Sequence, residues 1–275
     1  MNKIQITMPK SVETAFLAKT TNVKKDNINS GINDIWRGYV VTSDNQMVKS
    51  YIKKTRNTNE LYREIFCSLL GRALGIDTPD PMIVKVEANH PDIPSDKDEY
   101  LFGTKDCDSI SFSRFLHENK LNEDYILNYD DFYKIIAFDE FIANPDRHFG
   151  NVLFNGSDFT FIDHGEAFHH SVLYNTPLTE CTTGENAIAE IFKINHGHND
   201  ITTQNLIRKI NKFIKSKISE EQIKLLPSAC KLEHDTLNLK HQNIHNFLLK
   251  RLPLLSSLVG FSVKVADNNG QLYLK

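Results

Sequence analysis

A chain of 275 residues can hold one large domain or two modest ones, and its 40% hydrophobic and 24% charged residues are those of an ordinary globular protein. A net charge of −3 provides no overall pull toward nucleic acid or an anionic membrane, so neither is expected as a direct partner. Four scattered cysteines (Cys67, Cys107, Cys181 and Cys230) lack metal-ligand spacing, and the chain has neither a signal-peptide core nor the roughly 18 apolar residues of a membrane span, which together read as cytoplasmic.

Residues 1 to 29 read as an added strand and helix or an arm. Residues 36 to 54 then predict a β-hairpin, two β-branched and aromatic runs around Ser43-Asp44-Asn45. A helix follows from Thr58 to Leu74, with Leu61, Ile65, Leu69 and Ala73 in helical steps and Gly75 as its stop. Pro79 to Val86 reads as a strand, Asn89 to Lys97 as a polar loop, and Glu99 to Phe102 as another strand. From about Asp130 the character changes. A largely buried helix ends before Asn144-Pro145, and a short hairpin turns at Asn155-Gly156 between Val152-Leu153-Phe154 and Phe159 to Ile162. The remainder reads as mostly helical, with a capping box at Ser219 to Gln222 and an apolar stripe from Leu237 to Leu252 that is best taken as core. The tail after Phe261 has the pattern of a small hairpin.

The informative segment is Asn144-Pro145-Asp146-Arg147-His148-Phe149-Gly150-Asn151, followed by Phe161-Ile162-Asp163-His164-Gly165. Phosphoryl transfer is mostly positioning and charge neutralisation, with a divalent metal bridging the phosphates. Hard cations take oxygen ligands, and a further carboxylate must sit beside the attacking hydroxyl. Asp146 and Asn151 share a polar loop, and the hairpin returns Asp163 beside it. This assigns Asp146 as catalytic base and Asn151 and Asp163 as magnesium ligands. Asn144, Arg147 and His148 are supporting residues, with His148 expected to bond the loop backbone or Asp163. Arg147 reads as either a charge neutraliser or a structural residue. His196, His198 and Asp200 form a polar His-x-His loop that reads as surface rather than metal site, and His169-His170 as local bonding partners.

At these residues the sequence resembles the HipA-like kinases, and the Asp-Arg-His-x-x-Asn run is also similar to phosphoinositide kinases. Ile162-Asp163-His164-Gly165 and the upstream half, Tyr51-Ile52-Lys53 and Glu64 through Leu74-Gly75-Ile76-Asp77-Thr78-Pro79, favour the HipA-like branch. The resemblance implies an α+β, two-lobed protein-kinase-like fold. A small β-rich N-lobe would occupy residues 1–103 and a mostly helical C-lobe residues 104–275, with ATP between them. It implies ATP and Mg2+ as cofactors, Lys53 on the α- and β-phosphates, and Glu64 as its partner. Strand alternation places only one of Lys53 and Lys54 on the inner face, and Tyr51 shares that side opposite Ile52.

Asn29-Ser30-Gly31 is the one candidate for covering the phosphates, since the dense glycine loop of common protein kinases is missing, and Ser30 is an autophosphorylation candidate. Glu99 to Gly103, including Phe102 and Gly103, would lead into the hinge facing the adenine. The implied activity is that of a protein serine/threonine kinase, with a protein substrate related to translation as in relatives and a place as toxin in a toxin–antitoxin pair. The chain is shorter than full-length members of the HipA-like family, which implies that it lacks an N-terminal subdomain or receives it from a separate protein, and the toxin reading implies an antitoxin as partner. A lipid or small-molecule kinase is the alternative, disfavoured by the lack of a recognisable basic amphipathic helix. A nucleotide-binding pseudokinase is the other, disfavoured because base, metal ligands, Lys53 and Glu64 are all retained.

Overall fold

The structure is a computed structural model that describes residues 7–18, 24–25, 33–168, 186–232 and 235–264. Its first half is a sheet of six strands, β1 (Glu13–Leu17), β2 (Lys24–Lys25), β3 (Ile35–Val41), β4 (Met47–Lys53), β5 (Pro81–Val86) and β6 (Glu99–Lys105), in the order β1-β5-β6-β4-β3-β2. The arm strand β1 runs parallel to β5 and also meets β3, where Phe16 faces Val41 and Leu17 faces Val40. That second pairing curls the sheet into a closed ring, which leaves β1 no open edge. The ring is filled by Ala15, Leu17, Trp36, Val40, Ile52, Met82, Val84, Val86 and Leu101, and Ile93 from the polar loop plugs it.

Strand alternation therefore sorts β4. Ile52 points into the ring, while Tyr51 and Lys53 point outward, so the alternation holds but the inner face is the one that carries Ile52, because the sheet closes around it. Against the outer face lies α1 (Thr58–Leu74), bounded as the sequence predicts. Asn57 caps it by accepting from the Glu60 N–H at 3.0 Å, and Gly75 closes it at φ 78°, a conformation natural to glycine. Nearly every side chain of α1 is buried, because it is clasped between the ring and the helical half, where it packs on α6 (Glu220–Ala229). The burial includes Glu60, Arg63 and Glu64, charged groups that must find partners there.

The second half holds β7 (Ile110–Ser111), α2 (Phe112–Asn119), α3 (Phe132–Phe141), the hairpin β8 (Val152–Phe154) and β9 (Phe159–Phe161), then α4 (Ala187–His196), α5 (Asp200–Lys217), α6, α7 (Asp235–Arg251) and α8 (Leu255–Val263). The predicted Asn-Gly turn appears, with Gly156 at φ 104°, as does the Ser219–Gln222 capping box. One apolar core runs from α1 and Phe102 through α3, the hairpin and the later helices, so the two halves share it. On α3 the adjacent carboxylates Asp139 and Glu140 point apart. Glu140 pairs with Arg251 at 2.5 Å and accepts from Ser262 at 2.8 Å, which ties α7 and α8 to α3.

Two sequence expectations change. Strand β6 continues to Lys105, so Phe102 and Gly103 lie inside the sheet rather than at a hinge, Phe102 opposite Lys53 and Gly103 between Ile52 and Met82. The cause is packing, since a side chain at 103 would come within 2.4 Å of Val84. Helix α5 is also more basic than the sequence reading allowed, exposing Arg208, Lys212 and Lys215 on one face. The candidate surface loop at His196, His198 and Asp200 gathers no metal-ligand cluster among the described residues, and Asn199 there caps α5. Ser30, Gly31, His169, His170, Cys181 and most of the tail lie outside the described residues. No described helix is long and apolar enough to cross a membrane. Gly103→Ala should lower the unfolding free energy by about 1–3 kcal/mol through overpacking, read as a reduced urea midpoint. An unchanged midpoint would contradict this account of the ring.

Candidate active site

The loop from Asn144 to Asn151 is built around one buried guanidinium. Arg147 donates from Nε to Asp139 Oδ2 at 2.8 Å and from Nη2 to Asp139 Oδ1 at 3.2 Å. Its Nη1 reaches the carbonyls of Asn151 and Ile162, each at 2.7 Å. The carboxylate of Asp139, fully buried on α3, also accepts from Asn144 at 3.0 Å and from Asn186 at 2.7 Å, so two of the four guanidinium bonds are met by a carboxylate that is itself held by two further donors. This settles Arg147 as a structural residue. The chain leaves α3 through Ala143 in the left-handed region at φ 46°, a turn that no glycine announces in the sequence.

The same guanidinium aligns the hairpin, because Ile162 is the residue before Asp163. The Ile162 N–H also donates to the Asn151 carbonyl at 3.1 Å. From the other side, Asp77 beyond α1 receives the Phe161 N–H at 2.8 Å and the Thr160 hydroxyl at 3.0 Å. Asp163 then takes φ 59°, a conformation that costs a non-glycine residue about 1–3 kcal/mol and is tolerated where the surroundings over-determine it.

Lys53, Glu64 and Asp163 meet. The lysine Nζ lies 2.6 Å from Glu64 Oε1 and 2.8 Å from Asp163 Oδ1, while Lys54 turns away to Glu99. Glu64 uses its second oxygen to accept the His164 N–H at 2.9 Å. Burial works to lower the lysine pKa, but the charges of Glu64 and Asp163 outweigh it and raise it, so the ammonium persists. Burial pushes Glu64 up to about 7 against the pull of Lys53. Burial works in the same direction on Asp163, but the lysine wins and leaves it at about 2.

Asp146 and Asn151 share the loop as expected. Asn151 Nδ2 donates to the Asp146 carbonyl at 2.9 Å and lies 3.4 Å from its Oδ2, leaving Asn151 Oδ1 without a hydrogen-bond partner among the described residues. The Asp146 carboxyl is half-exposed, and its pKa is raised, by partial burial and then by the charges of Asp163 and Glu166 against an opposing His148. His148 bonds the loop backbone rather than Asp163. Its Nδ1 accepts the Gly150 N–H at 3.0 Å, and Nε2 stands 3.9 Å from Asp146.

His164 is buried with both ring nitrogens unpartnered among the described residues and packs edge-on to Phe138 at 5.6 Å. Burial, and then Arg147, hold its pKa well below the usual value, so it serves as a neutral flat ring. Gly165 beside it faces α1, and a Cβ there would sit 3.0 to 3.1 Å from Glu60 and Glu64.

Sequence reasoning missed three things. Glu60 lies 3.5 Å from Lys53 and was indistinguishable from other helix carboxylates. Asp139 and Glu140 are adjacent acids in a largely apolar helix, a signal that could have found the buried Asp139. The crossing between the halves is 106–109, staked by Asp106, which Arg37 holds at 2.6 Å and Lys49 at 3.0 Å.

A closed ring of strands, a buried helix lending a carboxylate to a strand lysine, and an Asp–Asn loop facing a second aspartate place the chain among kinases. The chain belongs to the HipA-like kinase family, which it matches over residues 35–252. In fold it is similar to a crystal structure of a Helicobacter pylori proinflammatory kinase, CtkA, with a TM-score of 0.54, 12% identity, and coverage of 91% of this chain and 97% of that one. A comparison with curated proteins finds no match. Arg147→Ala should cost about 3–5 kcal/mol by stranding Asp139 as an unpaired buried charge, measured by urea unfolding. A loss below about 1 kcal/mol, the scale of a surface pair, would contradict the central place given to Arg147.

Proposed function

We propose that the chain is an ATP- and Mg2+-dependent protein serine/threonine kinase, with the strand-rich half up to Lys105 and the helical half from Ile110 acting as its two lobes and ATP bound between them beside Lys53. The single observation that carries this reading is the Lys53 ammonium shared by Glu64 on α1 and Asp163 after the hairpin. A lysine held in this way presents a directed point charge suited to phosphate.

The donors present fit a hard divalent cation: the Asp163 carboxylate and the Asn151 Oδ1, which has no hydrogen-bond partner among the described residues, are both oxygen ligands. These two residues would hold Mg2+, which when bound neutralises phosphate charge. Asp146, with its raised pKa, is the proton acceptor. The acceptor hydroxyl oxygen forms a bond to the γ-phosphorus of ATP, the bond from that phosphorus to the ADP oxygen breaks, and the hydroxyl proton passes to Asp146. His148 orders the loop through Gly150. Phe102 and Gly103 support the lysine from the neighbouring strand, and residues 106–109 are the segment suited to face the adenine. The resemblance extends the proposal to a toxin that modifies a translation protein and is held by an antitoxin or N-terminal subdomain partner.

Incubation with γ-labelled ATP and magnesium, beside Asp146→Asn and Asp163→Asn, tests the assignment. Label should appear on serine or threonine of the chain itself or of a lysate protein, and both variants should lose it. Label entering anionic lipid vesicles instead would replace the protein substrate, and ATP binding with no transfer would leave a pseudokinase. The rate should also fall at acid pH. Asp146 must be ionised to accept the proton, and its raised pKa moves the point of half-activity above the ordinary aspartate value of 3.8. A flat profile down to that value would remove Asp146 as the base.

A further inference from the structure

Glu60 lies one turn before Glu64 on α1, and its side chain is 1% exposed. Its Oε1 accepts from Asn33 Nδ2 at 2.7 Å and stands 3.5 Å from the Lys53 ammonium. Its Oε2 accepts the Arg56 backbone N–H at 2.9 Å and the Arg56 Nε at 2.7 Å. The other arm of Arg56 pairs with Glu166, just beyond Asp163. Burial works to raise the Glu60 pKa, and Arg56 and then Lys53 bring it below the usual value, so it carries a fixed negative charge. Three bridges therefore run from α1 to the segment that carries Asp163: Glu64 to the His164 N–H, Arg63 to the Gly165 carbonyl, and Glu60 through Arg56 to Glu166.

A lysine ammonium has three N–H bonds. Here Glu64 and Asp163 take two at 2.6 and 2.8 Å, and Glu60 is the remaining carboxylate within 4 Å among the described residues. In the kinase reading, on which this inference rests, Asp163 must leave the lysine for the metal. We propose that Glu60 is a positioning residue for Lys53, taking the hydrogen bond that Asp163 gives up. Glu64 and Glu60 then hold two N–H bonds from the helix side and leave the third for phosphate. Without the charge of Glu60, the ammonium would stay committed to Asp163, and the nucleotide would have to break a tighter pair.

The test uses the full chain with Glu60→Gln, which removes the charge at constant size, and Arg56→Gln, which leaves the charge but unties it. Affinity for a fluorescent ATP analogue with magnesium, KM and kcat are measured, with urea unfolding as the check on folding. Glu60→Gln should raise both the dissociation constant and KM about tenfold, with kcat per folded molecule changing less. Arg56→Gln should move both constants in the same direction by a smaller factor. Constants within about twofold of the parent in Glu60→Gln, or a loss confined to kcat that follows the unfolded fraction, would overturn the proposal. If Glu60→Gln does not fold, Arg56→Gln decides alone, by raised or unchanged constants. A parent chain that binds nucleotide without transferring phosphate would sink the kinase reading while the affinity comparison still judges Glu60. A parent that binds no nucleotide would overturn both.

Discussion

The geometry of the site depends on the buried Arg147 guanidinium. It is planar, permanently charged and able to donate in several directions at once, which a lysine could not do from one point. Two of its nitrogens close on Asp139 and the third spans the carbonyls of Asn151 and Ile162. The residue that ends the loop and the residue that precedes Asp163 are thereby aligned on one rigid group. Burying such a charge is expensive unless it is fully paired, and the extra donors from Asn144 and Asn186 complete the carboxylate side.

The second constraint is electrostatic and lies on α1. The helix is enclosed on nearly all sides, so its carboxylates can be accommodated only where cations reach them. Lys53 from the ring and Arg56 from the preceding turn supply those cations. The arrangement leaves Lys53 charged, Asp163 held ionised by the same lysine, and Glu64 raised by burial. Gly165 lets the segment after the hairpin approach those carboxylates closely, which explains a glycine there without appeal to backbone flexibility.

The two halves are not independently cored. Phe102 and α1 pack into the same apolar cluster as α3 and the hairpin, while the ring interior forms a smaller cluster of its own. At the far end, the Val12 N–H donates to the Ala229 carbonyl at 2.8 Å, fastening the arm to α6. Motion between the halves must therefore strain the α1 contacts, where the lysine and its carboxylates reside.

What the sequence determined by itself was local. Alternation placed Lys53 opposite Ile52, Gly75 stopped α1, Asn155-Gly156 turned the hairpin, and Ser219 with Gln222 capped α6. Each of these rests on interactions within a few residues, so the chain carries its own signal. The grouping of Asp146, Asn151 and Asp163 was legible as well, because their spacing around a hairpin is itself a local pattern, whereas Glu64 came only through the family resemblance. Tertiary structure decided the rest. Which of two helix carboxylates lies nearer the lysine, the pairing of Asp139 with Arg147, the closure of the ring by β1, and the course of β6 past Gly103 all depend on groups distant in sequence. Charge pairing and close packing act through space and leave no periodic mark on the chain.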